Sequence, residues 1–116
     1  VVNGEYLKKN KAQIDKFVKV TQRAFAACVK DPKPCVQALI DANGALSFDN
    51  EFVNWQLVEE LMNDKFSREV ALGIHDDGRM KADYELVRDY VGIDKPFDVK
   101  TVYTNEFLDR SIKMTK

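Results

Sequence analysis

The sequence predicts a mainly α-helical segment of four to five helices, followed by an irregular carboxyl-terminal stretch. Apolar residues recur at helical spacing in several separate stretches of the chain. Each of these stretches is bounded by residues that start or stop helices, such as Asn10, Pro32 and Gly92. The last part of the chain has neither the helical nor the strand period and is rich in turn-forming residues. The whole chain, 1–116, is predicted as one segment in which residues 10–91 form the helices.

The clearest helical pattern runs from Lys11 to about Lys30, with Asn10 as its N-cap. Its apolar positions follow the spacing i, i+3, i+4 and i+7 over more than four turns: Ile14, Phe17, Val18, Thr21, Ala24, Phe25 and Cys28. The other face is predicted to be polar and carries Lys11, Asp15, Lys19, Gln22 and Arg23. Val20 and Val29 widen the apolar face, which indicates neighbours on more than one side.

A second helix is predicted from Cys35 to Ala42, after the stretch Asp31-Pro32-Lys33-Pro34. The short connection makes the first two helices a hairpin. Cys28 then lies near the end of one helix and Cys35 near the start of the next, and a disulfide needs Cα atoms within roughly 7 Å. We expect a Cys28–Cys35 disulfide and an oxidising compartment. The alternative is a pair of buried free thiols in a cytosolic domain.

Two further helices complete the predicted set. The third is capped by Ser47 or Asp49 and runs to about Asp64, with Trp55 as a packing residue. The stretch from Lys65 to Leu72 is ambiguous, with Ser67 as a possible cap, and 73–80 is predicted as a loop. The fourth clear helix is predicted from about Lys81 to Val91.

Residues 92–116, here called the strap, are predicted to lie over the preceding helices. Pro96 forces the chain out of helical geometry, and Asp98 can accept backbone hydrogen bonds and start a short helical turn. Apolar anchors are spread along the stretch: Ile93, Phe97, Val102, Tyr103, Phe107 and Leu108. A segment of this composition has little reason to hold its shape alone.

The chemistry of the sequence predicts no enzyme, no metal site and no cofactor. The formal charge is −1, so there is no overall field to attract nucleic acid. His75 is the only histidine, and no cysteine–histidine spacing fits zinc. The run from His75 to Gly78 is predicted to be a solvated turn, since it lacks the alternating carboxylates of a calcium loop. No catalytic residue is therefore expected.

Several motifs resemble the end of the solute-binding proteins of the nitrate, sulfonate, taurine and thiamine-precursor import systems. The resemblance is most specific at the carboxyl-terminal end, where the family's corner, turn and closing stretch match Tyr90-Val91-Gly92, Lys95-Pro96-Phe97-Asp98 and 102–108. Weaker matches are the Tyr6-Leu7 helix start, the Asp31-Pro32 corner and the Gly78-x-Met80 loop. Lys11 stands where the family usually has proline.

The resemblance implies that the chain is the carboxyl-terminal part of a two-lobed α/β periplasmic binding protein. Residues 1–9 would be the end of a strand crossing between the lobes and a linker, and Asn3 would lie near the ligand cleft. The function implied is capture of a small organic solute and delivery to an ABC permease. The location implied is periplasmic or extracellular, and an upstream segment would provide a lipid anchor.

Two alternatives stay open at this point. One is a free-standing helical protein-interaction module, and the other is a fragment of a thiamine-pyrimidine synthase-like enzyme, which has the same fold. If the resemblance holds, the wide apolar face of the first long helix lacks the sheet that would cover it. We then expect either the amino-terminal part of the same protein or another copy of the chain to cover that face.

Overall fold

The computed structural model describes residues 1–115, and within them the fold is helical without strands. The mainly α-helical prediction is thus confirmed for this segment. Six α-helices occur in the order α1 (Gly4–Lys9), α2 (Lys11–Lys30), α3 (Pro32–Ala42), α4 (Phe48–Met62), α5 (Lys65–Glu69) and α6 (Asp77–Tyr90). A 3₁₀ helix, Val99–Thr101, follows in the strap.

The amino-terminal residues form a helix start and not the strand end that the sequence analysis expected at 1–3. The Asn3 side chain accepts hydrogen bonds from the backbone N–H groups of Glu5 and Tyr6 at 3.0 and 3.1 Å. Asn3 is therefore the N-cap of α1, and Val1 is fully exposed. Asn10 separates α1 from α2, but its side chain donates back to the Tyr6 carbonyl and does not cap α2.

The hairpin of α2 and α3 carries the predicted disulfide. The sulfur atoms of Cys28 and Cys35 lie 2.06 Å apart, and their Cα atoms lie 5.8 Å apart. The predicted start of α3 at Cys35 is wrong, because α3 begins at Pro32. Both Pro32 and Pro34 fit into its first turn, where the backbone N–H groups that proline lacks have no helical partner anyway.

The region between α4 and α6 is more helical than predicted. The ambiguous stretch after residue 64 is the short helix α5, held by a capping box in which Asp64 and Ser67 each accept from the other's backbone N–H. The loop predicted over 73–80 is shorter in the structure, because its last four residues belong to α6. Asp76 accepts from the Arg79 N–H at 3.0 Å, so α6 starts at Asp77 and not at Lys81.

The buried core is small for the length of the chain. Its apolar members are Val29, Val36, Ala71, Leu72, Phe107 and Met114. The radius of gyration is 16.6 Å, against about 13 Å for a compact domain of this length. Many large apolar side chains remain exposed, among them Phe17, which the prediction assigned to the packed face of α2. The described residues thus form an open helical layer with apolar surfaces left uncovered.

The strap lies across the helices as predicted. The Phe97 N–H donates to the Tyr84 hydroxyl of α6 at 3.1 Å. Further along, the Leu72 N–H donates to the Ile112 carbonyl and the Met114 N–H donates to the Ser67 carbonyl, both at 2.9 Å. Asp98 caps the 3₁₀ helix by accepting from Lys100, which confirms the predicted short turn.

Candidate functional site

A cleft of about 560 Å³ lies where α2, the end of α4 and the start of α6 meet. This volume falls within the ~300–1,000 Å³ of small-ligand pockets. Phe17 and Phe25 of α2 and Leu61 of α4 line it, and all three are exposed aromatic or aliphatic side chains. Its surroundings are therefore mainly apolar, with polar groups collected at the floor and at one end.

The floor of the cleft is fixed by Gln22. This side chain is only 5% exposed, although the sequence analysis assigned it to the polar face of α2. Its amide nitrogen donates to the Leu72 carbonyl at 2.9 Å and to the Asp109 carbonyl at 3.3 Å. Its oxygen accepts from the Asp109 N–H at 2.8 Å. Gln22 therefore satisfies buried backbone groups from two other segments and joins α2 to the strap.

An ion pair closes the polar end of the cleft. Asp64, before α5, accepts the Ser67 N–H at 2.7 Å and pairs with the guanidinium of Arg79 on α6. These contacts, the Ser67 hydrogen bond first, hold the pKa of the Asp64 carboxyl below its ordinary value. Asp64 is thus a fixed negative charge that connects the capping box of α5 to α6.

The strap is joined to the rim of the cleft through His75. The Asn105 side chain accepts from the His75 N–H at 3.0 Å and donates to the His75 carbonyl at 2.8 Å. The Tyr103 ring lies 5.6 Å from the His75 ring, measured between centroids. His75 is exposed, in agreement with the predicted solvated turn, although it also lines the cleft and contacts the strap.

Tyr103 also binds the first turn of α6. Its hydroxyl donates to Asp77 at 2.7 Å, and this bond raises the pKa of Tyr103 to about 12. The same bond, followed by the charge of Lys100, lowers the pKa of the Asp77 carboxyl. Asp77 is therefore ionised at neutral pH and anchors the strap to α6.

The residues that the sequence analysis singled out are not collected in one place. Asn3 caps α1 and does not line the cleft. Its position near the ligand of a two-lobed protein stays a prediction. Trp55 packs against Phe25 with ring centroids 5.9 Å apart, in agreement with its expected packing role. Its indole N–H is buried and has no hydrogen-bond partner within residues 1–115.

The groups that organise the cleft, Gln22, Asp64 and Arg79, were not identified from the sequence. A capping signature was available for Asp64, since Ser67 follows it at the spacing of a capping box. Nothing local marks Gln22, because its partners Leu72 and Asp109 are 50 and 87 residues away. In the described part of the chain, no group of three or more His, Cys, Asp or Glu side chains is placed to hold a metal ion.

Comparison with known proteins identifies no relative. No protein-family model, no curated protein and no solved structure matches the chain. None of the helices within residues 1–115 combines the length and the apolar character needed to cross a membrane.

Proposed function

We propose that the chain is the carboxyl-terminal helical part of one lobe of a two-lobed solute-binding protein that serves ABC-type import. The observation that carries this proposal is the open helical layer. Domains are built from layers packed on a shared core, whereas this chain has few buried apolar side chains and an uncovered apolar surface at the end of α6. A further layer, supplied by the rest of a larger lobe, would complete such a core.

The carboxyl-terminal end of α6 offers one surface for that layer. Leu86, Tyr90 and Val91 are exposed there, with Tyr90 85% exposed. Leu86 and Tyr90 are four residues apart, so they lie on the same face of the helix. The strap leaves these side chains uncovered while it binds Tyr84 and Asp77 closer to the start of α6. This end of α6 would pack against the remainder of the lobe.

Two other features support the proposal. The closing motifs at 90–108 resemble those of the family, and most of them lie in the strap, which contacts α2 through Glu106 and α6 through Phe97 and Tyr103. The disulfide between Cys28 and Cys35 is compatible with a periplasmic or extracellular location. In this function two lobes close on a small organic solute, and the closed form delivers it to a membrane permease. The proposed role is binding, without a catalytic step, a cofactor or nucleic acid.

A free-standing helical interaction module is the second candidate. The cleft favours it, because exposed Phe17, Phe25 and Leu61 surround a concavity of the kind that receives an apolar side chain or helix. Such a module would bind another protein and no small solute.

Solute binding by a polypeptide that contains residues 1–116 together with the sequence preceding them separates the two candidates. The panel would contain nitrate, alkyl sulfonates, aminopyrimidines, flavins and aromatic acids. A solute that binds the folded state at about 100 times its Kd stabilises it by about 2.7 kcal/mol, which thermal unfolding detects readily. Stabilisation by one solute class is the expected result. No stabilisation by any class, in a polypeptide that unfolds cooperatively, would contradict the proposal.

A further inference from the structure

Helix α4 is apolar on two sides. Trp55 and Met62 pack inward against the core. Val53, Leu57 and Leu61, spaced four residues apart, form a second stripe that points outward, and Leu61 is 80% exposed. A helix that is apolar on opposite sides is normally buried between two layers. The outward stripe of α4 is therefore suited to a partner.

The stripe continues onto α2. Phe17 is 68% exposed and Val20 is also exposed, one turn further along α2. Phe17 and Leu61 line the same cleft, which makes the two apolar surfaces adjacent. We define the α2–α4 face by its five exposed apolar residues: Phe17, Val20, Val53, Leu57 and Leu61.

The two helices that form this face carry opposite charges. Helix α2 has five basic side chains and one acidic side chain, a formal charge of +4: Lys11, Lys16, Lys19, Arg23 and Lys30 against Asp15. Helix α4 has four acidic side chains and no basic one, a formal charge of −4: Asp49, Glu51, Glu59 and Glu60. Lys16 of α2 and Glu60 of α4 flank the apolar residues and have no ion-pair partner within residues 1–115.

Two copies of the α2–α4 face would match each other in charge. A two-fold axis along the cleft would place α2 of one copy opposite α4 of the other, and it would do so twice. The basic side chains beside Phe17 would then meet the acidic side chains beside Leu61 of the second copy. A mainly basic or mainly acidic partner would match only one of the two helices.

The five apolar side chains of the face are between 55% and 80% exposed, so they are available to form the apolar centre of an interface. A standard interface buries about 800 Å² on each partner, with an apolar centre and a polar rim. The α2–α4 face supplies the centre, and the charged residues beside it supply the rim.

We propose that a second copy of this chain covers the α2–α4 face in a two-fold symmetric dimer, with Phe17 and Leu61 at its centre and Lys16 opposite Glu60 of the other copy. The dimer goes beyond the proposed solute-binding function, which assigns the end of α6 to the rest of the lobe. Solute binding and dimerisation can therefore fail independently.

Sedimentation equilibrium of the 116-residue chain over a range of concentrations tests this proposal. The expected species is a dimer of twice the 13.3 kDa chain mass with a dissociation constant of micromolar order. Leu61→Glu places a charge at the centre of the face and should raise that constant at least about 100-fold. Val102→Glu is the matched control, because Val102 is 60% exposed in the strap, outside the face and outside the α6 surface assigned to the lobe, and it should leave the constant unchanged.

A charge exchange provides a test that does not depend on the apolar residues. Lys16→Glu alone and Glu60→Lys alone should each weaken the dimer by about tenfold at low salt, and the double variant should restore it. Circular dichroism verifies that every variant keeps its helix content. A monomer at all concentrations would overturn the proposal. The proposal would also be overturned if Leu61→Glu left the dissociation constant unchanged, or if the double variant did not restore the dimer that each single charge change weakens.

Discussion

Gln22 is predicted to be the most sensitive polar residue of the fold. Gln22→Leu keeps the approximate size of the side chain but removes its three hydrogen bonds to Leu72 and Asp109. The Leu72 carbonyl and the Asp109 N–H then lose their side-chain partner. A buried backbone group without a partner costs about 1–3 kcal/mol, and the group on Asp109 is closer to solvent. We expect the free energy of unfolding to fall by about 2–4 kcal/mol, a large share of the ~5–15 kcal/mol typical of a domain.

Urea unfolding followed by circular dichroism and by the fluorescence of Trp55 measures this loss. Gln37→Leu is the matched control, since Gln37 is an exposed helical glutamine whose amide donates to Asp41 at 2.8 Å. The control should stay within about 0.5 kcal/mol of the wild type. The interpretation of Gln22 would be refuted if the two leucine variants unfolded with the same free energy.

Gln22→Glu should make the free energy of unfolding depend on pH through the same buried position. A glutamate carboxylate at this position would face the carbonyl oxygens of Leu72 and Asp109, whereas the protonated acid can donate to one of them. The pKa of the introduced carboxyl should therefore lie above its ordinary value of about 4.3. A raised pKa in the folded state stabilises the fold below the ordinary pKa, and this stability is lost as the pH rises. The difference in stability from wild type should thus be smallest near pH 4 and largest at neutral pH.

Two further predictions concern the hairpin and the strap. Replacing both Cys28 and Cys35 by serine should lower the free energy of unfolding by about 2–3 kcal/mol, and a reducing agent should lower the stability of the wild type but not of the variant. Tyr103→Phe should raise the pKa of the Asp77 carboxyl toward its ordinary value, because the Tyr103 bond is the main cause of its lowering. A lowered folded-state pKa gives stability that is present above about pH 4 and lost as the pH falls through the folded value, so Tyr103→Phe should reduce this acid sensitivity. An Asp77 pKa from NMR titration that does not change in the variant would contradict this assignment.

Local sequence signals predicted the elements of the fold well. The spacing of apolar residues gave α2 its bounds, Lys11 to Lys30, and the two cysteines at one hairpin corner indicated the disulfide. The errors lie at helix starts. Helix α3 begins at Pro32, three residues before its predicted start, and α6 begins at Asp77, four residues before its predicted start, because prolines and an aspartate cap suit a first turn as well as a loop.

The cleft could not be predicted, because distant parts of the chain form it. Gln22 looked like a surface residue by its helical position, but its partners are backbone groups of Leu72 and of Asp109 in the strap, which are distant in the sequence. The exposure of Phe17 has the opposite cause. Its spacing predicts burial, but no part of residues 1–115 covers it. Helical periodicity shows which side chains need a partner and not whether this chain provides one.

The proposed function is tested most directly by solute binding to a polypeptide that joins this chain to the remainder of the proposed lobe. Titration calorimetry with the solute class that gives the largest thermal stabilisation measures it. The proposed function predicts saturable binding at one site per polypeptide. The Leu86→Glu change at the end of α6 should destabilise that polypeptide, because it buries an unpaired charge against the rest of the lobe. Absence of saturable binding for every solute class, with the polypeptide folded, would contradict the assignment to a solute-binding lobe.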